Sequence, residues 1–135
     1  MIKRNEIRTS DGILLAYKID KNFQQGLTPY SNEKDFLQVL SWNYSAGTHL
    51  PPHSHLSSPR KIAHTQELII ILSGRLRAQI FDKKRLPVNN IILEAGETMV
   101  FLRGGHGYEI LEDDTRVLEI KNGPYPGADK DRERY

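Results

Sequence analysis

The chain has 135 residues, the size of one domain, and its lack of cysteine excludes disulfides, thiolate metal ligands and thiol catalysis. Its 19 Lys and Arg residues nearly balance 17 Asp and Glu residues, and the net charge of +2 is not gathered into the one-sign patch typical of nucleic-acid binders. No apolar run has the length of a membrane span, and residues 1–6 are too charged for a signal peptide. We therefore expect a cytoplasmic protein with no nucleic-acid or membrane partner.

Short apolar runs separated by turn residues predict an all-β domain of about nine strands. Strands are expected, in chain order, as a hairpin over residues 7–19 and as runs at 36–44, 67–72, 75–82, 90–93, 98–102, 108–111 and 115–121. The polar stretch 24–33 is expected to be a loop, and residues 32–40 are the one candidate for a helical turn. A sandwich or a closed barrel would bury such strands and protect their edges.

The last part of the chain is expected to lack regular structure. Residues 122–127 contain two prolines and two glycines, which favour an extended or turning path. The charges of residues 129–134 alternate in sign, so this segment is expected to be a solvated tail.

Two histidines and one glutamate are the first candidates for a functional site. His53 and His55 are spaced i, i+2, so an extended segment would present both imidazoles on one face, where they could chelate a metal. Taken alone, this pair is equally consistent with a polar loop. Glu67 opens a run of five aliphatic residues, and a buried carboxylate without a partner is costly. A metal ion bound with histidine co-ligands would remove that cost.

Three stretches of the chain carry a recognisable spacing pattern. Residues 47–55 read G-x5-H-x-H, residues 67–74 read E-x6-G, and residues 96–106 begin with glycine and end in Gly-Gly-His. This arrangement resembles the two motif blocks of the cupin superfamily, G-x5-H-x-H-x3-4-E-x6-G and G-x5-P-x-G-x2-H-x3-N. The resemblance implies a single cupin domain over residues 1–135, folded as a double-stranded β-helix, or jelly-roll barrel.

By this resemblance, one divalent transition metal (Fe, Mn, Ni, Zn or Co) is bound by His53, His55, Glu67 and His106. The chain departs from the family pattern in several ways. Eleven residues, not three or four, separate His55 from Glu67, which implies an enlarged loop at the mouth of the barrel. Leu102 replaces the proline of the second block, His106 comes one residue early, and no asparagine follows at the expected place.

Further candidates come from the neighbourhood of these motifs. Tyr108 follows His106 by two positions, so the two side chains share a strand face and Tyr108 is a candidate catalytic residue. His64 lies in the enlarged loop and is a second candidate, able to pass a proton if it overhangs the site; an ordinary solvated histidine is the alternative. The candidate substrate contacts are Arg60, Gln66, Arg77 and Gln79.

Three functions remain open at this point. The first is a metal-dependent enzyme, an isomerase or oxygenase, acting on a polar or sugar-like small molecule. The second is a metal-independent nucleotide-sugar isomerase or epimerase, with a histidine base and a tyrosine acid. The third is a ligand-binding module without turnover. Similar small bacterial cupins belong to surface-polysaccharide or nucleotide-sugar pathways, and cupins often pair through outer strands, so the resemblance also implies a homodimer.

Overall fold

Residues 4–135, the part of the chain that the computed structural model describes, form ten β-strands and one four-residue helix. The elements are β1 (Asn5–Arg8), β2 (Leu14–Ile19), β3 (Gly26–Pro29), β4 (Leu40–Asn43), β5 (Glu67–Ser73), β6 (Arg75–Phe81), β7 (Pro87–Glu94), β8 (Thr98–Phe101), β9 (Gly105–Ile110), β10 (Arg116–Lys121) and α1 (Ala128–Asp131). The prediction of an all-β domain is confirmed. Residues 1–3 of the charged start lie outside the described part.

The strands form three sheets, and every strand pair is antiparallel. The largest sheet has five strands in the order β1-β2-β8-β5-β10, and the second has three in the order β7-β6-β9. Strands β3 and β4 pair only with each other. No helix in residues 4–135 has the length and apolar character needed to cross a membrane.

One apolar core joins the two larger sheets. Along β6, Leu76, Ala78 and Ile80 are buried, while Arg77 and Gln79 between them are not, because successive side chains of a strand point to opposite faces. The buried set belongs to one cluster with the inward residues of β5, β7 and β8. This packing identifies Leu76, Ala78 and Ile80 as the inward face of β6.

A second core lies on the other face of the five-stranded sheet. Tyr17, Leu68 and Val100 are buried there together with Tyr30 and Leu102. Strands β5 and β8 are therefore covered on both faces, which explains why their sequences are almost continuously apolar.

Most predicted strands are present, with boundaries shifted by a few residues. The predicted first hairpin is β1 paired with β2, and its turn contains Gly12 with a φ of 90°. The strands predicted from residue 67 onward correspond to β5 through β10. A bend at Gly74 separates β5 from β6, and a turn at Ala95–Gly96 separates β7 from β8.

The region before residue 67 differs from the predictions. The stretch 24–33 was expected to be a loop, yet it contains β3, and the strand expected at 36–44 is confined to β4. No helical turn forms over 32–40, which holds turns and bends instead. The strands of this region differ from the prediction because β3 and β4 bury polar side chains, Thr28 and Ser41, while Leu27 and Trp42 are exposed. This inverted pattern hides a strand from any reading based on apolar alternation.

Two long segments surround the sheets without forming strands. Residues 44–66 have no helix or strand, and residues 51–60 are exposed throughout, as expected for an enlarged loop. The predicted solvated tail contains α1, and Asp131 at its end is only partly exposed because it packs against the sheet. The prediction of a fully solvated tail was therefore wrong at Asp131, although the other residues of 129–134 are exposed.

Candidate functional site

Strand pairing places Glu67 at the centre of an inward-facing row. Residues that pair directly across antiparallel strands share a face of the sheet. Glu67 pairs with Phe101 of β8 on one side and with Lys121 of β10 on the other. Glu67 also lies at alternating spacing with the buried Ile69 and Ile71, so its carboxylate is directed to the inner face of the five-stranded sheet.

The opposite sheet directs two polar side chains toward this row. In β9, His106 pairs with Ile80 and Tyr108 pairs with Ala78, and both partners belong to the core. The two side chains therefore also face inward, at the end of the core between the sheets. The i, i+2 spacing of His106 and Tyr108 predicted that they would share a face, and this is confirmed.

Both side chains contact one oxygen of Glu67. The Tyr108 hydroxyl donates a hydrogen bond to Glu67 Oε1 at 3.0 Å. His106 Nε2 lies 3.3 Å from the same oxygen. We call Glu67, His106 and Tyr108 the polar cluster; it joins the two sheets at a position where an unpartnered carboxylate would be unfavourable, since Glu67 is only 9% exposed.

Phe101 fixes the orientation of the two rings. It is stacked on His106 with ring centroids 4.1 Å apart and an angle of 21° between the planes. It meets Tyr108 edge to face, with centroids 6.0 Å apart. One face of the imidazole is thus covered by an apolar ring, while its Nε2 edge is directed to the carboxylate.

The surroundings shift the pKa values of the two acidic groups in opposite directions. Burial raises the pKa of Glu67, but the contact and charge of His106 and the Tyr108 hydrogen bond lower it, and the net result is a lowered pKa. Burial raises the pKa of Tyr108, and the neighbouring Glu67 carboxylate raises it further. At neutral pH Glu67 is therefore ionised, and Tyr108 keeps its proton and remains a donor.

A cavity of about 680 Å³ opens beside the polar cluster, a size that suits a small ligand. Its walls come from β5, β6, β8, β9 and β10 and from residues 131–135. Phe81 and Phe101 give it apolar surface, and Gln79 and Glu119 add polar groups beyond the cluster.

Lys121 and Asp131 form a charged group on the rim of this cavity. Lys121 Nζ lies 3.7 Å from Asp131 and 3.6 Å from Glu119. Asp131 also accepts a hydrogen bond of 2.6 Å from the Thr65 hydroxyl. These contacts tie the residues just before β5 and the segment after β10 to the same rim.

The four predicted metal ligands are placed as two pairs. Glu67 and His106 meet in the polar cluster. His53 and His55 are exposed in the 44–66 segment, with ring centroids 5.1 Å apart, and His53 Nδ1 lies 3.3 Å from the Pro51 carbonyl oxygen. Within residues 4–135, no three His, Asp or Glu side chains are grouped so that one metal ion could bind them.

Of the other predicted site residues, some line the cavity and some do not. Gln79 and Tyr108 line the cavity, whereas His64, Arg60, Gln66 and Arg77 do not. His64 Nε2 lies 3.1 Å from the Leu102 carbonyl oxygen.

Two of these residues make contacts that suit a structural role. Gln66 is buried, and its Oε1 accepts hydrogen bonds from the backbone of Phe36 and Leu37. Arg77 pairs with Glu109 on the outer face of the sheet. Their proposed roles in catalysis or substrate binding stay predictions.

Sequence reasoning missed Phe101, Lys121 and the residues around Asp131. The register that sets Phe101 and Lys121 beside Glu67 depends on pairing between strands far apart in the chain, which periodicity within one strand does not reveal. The i, i+2 spacing of Glu119 and Lys121 was the available signal for the rim. No pattern indicated that residues 131–135 line a cavity.

Comparison with known proteins identifies no relative, since no protein-family model, curated protein or solved structure matches the chain. The resemblance of residues 47–74 and 96–106 to the cupin motifs therefore stays a prediction.

Proposed function

We propose that this chain is a cupin-like protein whose cavity binds a small polar, carbohydrate-like molecule, and that the polar cluster transfers protons on it, as in an isomerase or epimerase. The observation that carries the proposal is the meeting of Glu67, His106 and Tyr108 in a cavity of about 680 Å³. Titratable groups whose pKa values are driven apart within one cleft are typical of acid–base sites.

The fold supports the cupin part of this proposal. A jelly roll packs two antiparallel sheets over one core, and the five-stranded and three-stranded sheets share such a core. The acid of the first motif block, Glu67, and the histidine of the second, His106, also approach each other to 3.3 Å, which is one part of the four-residue convergence that the motif resemblance implies.

Each member of the polar cluster has a distinct chemical role in this proposal. Glu67 holds Nε2 of His106, which leaves Nδ1 as the nitrogen that accepts a proton from carbon or oxygen of the ligand. A ligand oxygen entering the cavity replaces Glu67 as the acceptor of the Tyr108 hydroxyl, so Tyr108 becomes the acid. The carboxylate stabilises the charge that His106 gains.

Proton transfer can be tested without knowing the physiological substrate. Sugars and sugar derivatives that bind the wild-type protein would be incubated in D₂O and followed by ¹H NMR for exchange of a carbon-bound hydrogen. We expect exchange in at least one bound compound, and its loss in His106→Asn and Tyr108→Phe. Arg116→Gln is the matched control, because Arg116 lies outside the cavity and its side chain contacts Ser73.

The possible results separate the candidate functions. Binding without exchange in the wild-type protein would favour a ligand-binding module and reject the acid–base assignment. Exchange that persists in both His106→Asn and Tyr108→Phe would place the chemistry elsewhere.

A metal centre is the second candidate, and one observation favours it. Glu67 Oε1 and His106 Nε2 are metal-ligating atoms that already converge to 3.3 Å. His53 and His55 would have to join them through a rearrangement of the 44–66 segment, so the described side chains fit only half of the predicted ligand set. A bound divalent ion would supply Lewis acidity at the cavity wall.

Metal binding has its own test, independent of activity. Elemental analysis of purified protein should find close to one transition metal ion per chain, with loss in His53→Ala, His55→Ala and Glu67→Ala. His49→Ala is the matched control, since His49 belongs to the same exposed segment and is not a predicted ligand. Wild-type protein that retains no metal after loading with Mn(II), Zn(II) or Ni(II) would reject this candidate.

A further inference from the structure

Residues 131–135, which we call the strap, lie against the cavity and form part of its wall. The strap is anchored at its start by Asp131, which accepts a hydrogen bond of 2.6 Å from Thr65 and lies 3.7 Å from Lys121. Both partners of Asp131 lie close to Glu67. Thr65 precedes Glu67 by two residues, and Lys121 pairs with Glu67 across the sheet.

The other end of the strap is fixed by separate contacts. Glu133 lies 2.6 Å from Arg85, and the same guanidinium lies over the ring of Tyr135, 4.8 Å from its centroid. Tyr135 also meets Phe81 edge to face at 5.5 Å. Its hydroxyl lies against Gly105, the residue before His106, where a side chain would collide with it. The strap is therefore held by contacts at both of its ends.

The carboxylates that line the cavity already have partners. Glu67 contacts His106, and Glu119 lies 3.6 Å from Lys121. Asp131 and Glu133 are engaged by the anchors of the strap.

Three arginine residues that contribute to the lining of the same cavity have no such partners. Arg132 and Arg134 come from the strap, and Arg103 comes from the turn between β8 and β9. Within residues 4–135, none of the three has a carboxylate oxygen within 4.0 Å, and none donates a side-chain hydrogen bond. These three arginines are thus free of ion pairs within the described residues, so an anionic group of a ligand would not have to displace a protein carboxylate from them.

We propose that the strap is part of the ligand site, and that Arg132 and Arg134, together with Arg103 of the same lining, bind an anionic group of the ligand. This inference deepens the proposed function, because it uses the same cavity and assigns its ligand a phosphate or carboxylate group. Arginine suits both anions, since its planar donors match two oxygens at once. The neutral, hydroxyl-bearing part of the ligand then faces the polar cluster.

The experiment compares four probes: inorganic phosphate, glucose, glucose 6-phosphate and glucuronate. Dissociation constants come from NMR titrations of backbone amide signals at low salt. The wild-type protein should bind at least one anionic probe about tenfold more tightly than glucose, as charge-assisted hydrogen bonds predict. The preference between glucose 6-phosphate and glucuronate distinguishes phosphate from carboxylate. Added NaCl should weaken the anionic probes and leave glucose unchanged.

A double variant and a matched control locate the anion site. Arg132→Gln with Arg134→Gln should raise the dissociation constant of the anionic probe about tenfold, and should leave glucose binding unchanged. The control is Arg116→Gln, an arginine of β10 outside the cavity whose side chain contacts Ser73. Equal binding of glucose and all anionic probes to the wild-type protein overturns the inference. An unchanged constant in the double variant does the same.

His106→Asn separates this inference from the proposed function. The acid–base proposal is refuted if the wild-type protein exchanges no proton in any compound tested. The anion site still stands in that case if His106→Asn continues to bind the anionic probe. Proton exchange in the wild-type protein, with no effect of the double variant on anionic probes, refutes the anion site and leaves the acid–base proposal standing.

Discussion

The Tyr108 hydroxyl and the Glu67 carboxylate are joined by a 3.0 Å hydrogen bond that links the three-stranded sheet to the five-stranded sheet. Tyr108 as a whole is 40% exposed, yet its hydroxyl reaches a carboxylate on a residue that is only 9% exposed. Tyr108 therefore lines the cavity while it holds the acid in place. This arrangement suits a group that exchanges its partner when a ligand enters.

Tyr108→Phe should raise the pKa of Glu67. The Tyr108 hydrogen bond is one of the contacts that lower this pKa, so its removal leaves burial less opposed. The measurement is an NMR pH titration of the Glu67 side-chain carboxyl carbon. Tyr44→Phe is the control, since Tyr44 is exposed just after β4 and does not line the cavity. An identical titration of Glu67 in wild-type protein and Tyr108→Phe would contradict the hydrogen bond.

Glu67→Gln should weaken the dependence of stability on acid. The folded pKa of Glu67 lies below its ordinary value of 4.5, so the unfolded chain binds this proton more tightly. The stabilisation by the ionised carboxylate is therefore present above pH 4.5 and is lost as the pH falls through the folded pKa.

Urea unfolding from neutral to acidic pH measures this effect. Wild-type protein should lose unfolding free energy below pH 4.5 more steeply than Glu67→Gln does. Glu33→Gln, an exposed glutamate outside the cavity, should keep the wild-type slope. Parallel curves for all three proteins would show that Glu67 has the same pKa when folded and unfolded.

The sequence predicts the strands of this fold where one face is apolar. Runs such as 67–72 and 98–102 are covered on both faces, and turn residues mark their ends, so β5 and β8 could be identified directly. Strand β3 could not, because it buries Thr28 and exposes Leu27, and β4, which lies within the strand predicted at 36–44, likewise buries Ser41 and exposes Trp42. Burial there depends on the Tyr30 hydroxyl, 2.9 Å from Ser41 Oγ, and on long-range packing that no local pattern encodes.

The candidate site was predictable only where it depends on spacing within one strand. Spacing within β9 placed His106 and Tyr108 on one face, and the motif resemblance associated Glu67 with His106. Bringing Phe101 beside Glu67 requires the register between β5 and β8, which is set by the whole sheet. The position of the strap depends on single contacts such as Thr65 with Asp131, and these lie 66 residues apart in the sequence.

Tyr17→Phe should stabilise the protein by about 1 kcal/mol, the scale of an unsatisfied buried hydroxyl. Tyr17 is fully buried, and its hydroxyl makes no hydrogen bond to any described residue, while the Arg4 guanidinium lies over its ring at 4.4 Å. Phenylalanine keeps the ring and that contact. Thermal and urea unfolding measure the gain, with Tyr44→Phe as the exposed control.

The burial of Tyr17 also predicts that the stability of the protein falls at alkaline pH. Burial raises the pKa of Tyr17 from 10.0 to about 12, so the unfolded chain releases this proton first. Stability should therefore fall as the pH rises from 10.0 toward 12, and less so in Tyr17→Phe. A Tyr17→Phe protein that is less stable than wild type at neutral pH would mean that the hydroxyl has a partner in solution.

Gly105→Ala should loosen the end of the strap at Tyr135. A methyl group at this position collides with the Tyr135 hydroxyl, so Tyr135 must leave its place against Phe81. Trypsin should then cleave after Arg132 faster than in the wild-type protein. Gly107→Ala is the matched control in the same strand, since its methyl group meets only the flexible end of Gln79 at 3.2 Å. Equal cleavage rates in the two variants would mean that Tyr135 does not hold the strap.

The homodimer implied by the cupin resemblance should form through β10. This strand is at the edge of the five-stranded sheet, and Leu118 and Ile120 are 48% and 41% exposed. An apolar edge strand invites pairing with a second chain. Light scattering after gel filtration should give the mass of a dimer for wild-type protein and of a monomer for Leu118→Lys with Ile120→Lys. The control is Leu86→Lys, which should remain dimeric; Leu86 is 57% exposed and lies just before β7. A wild-type protein that is monomeric at all concentrations would reject the dimer.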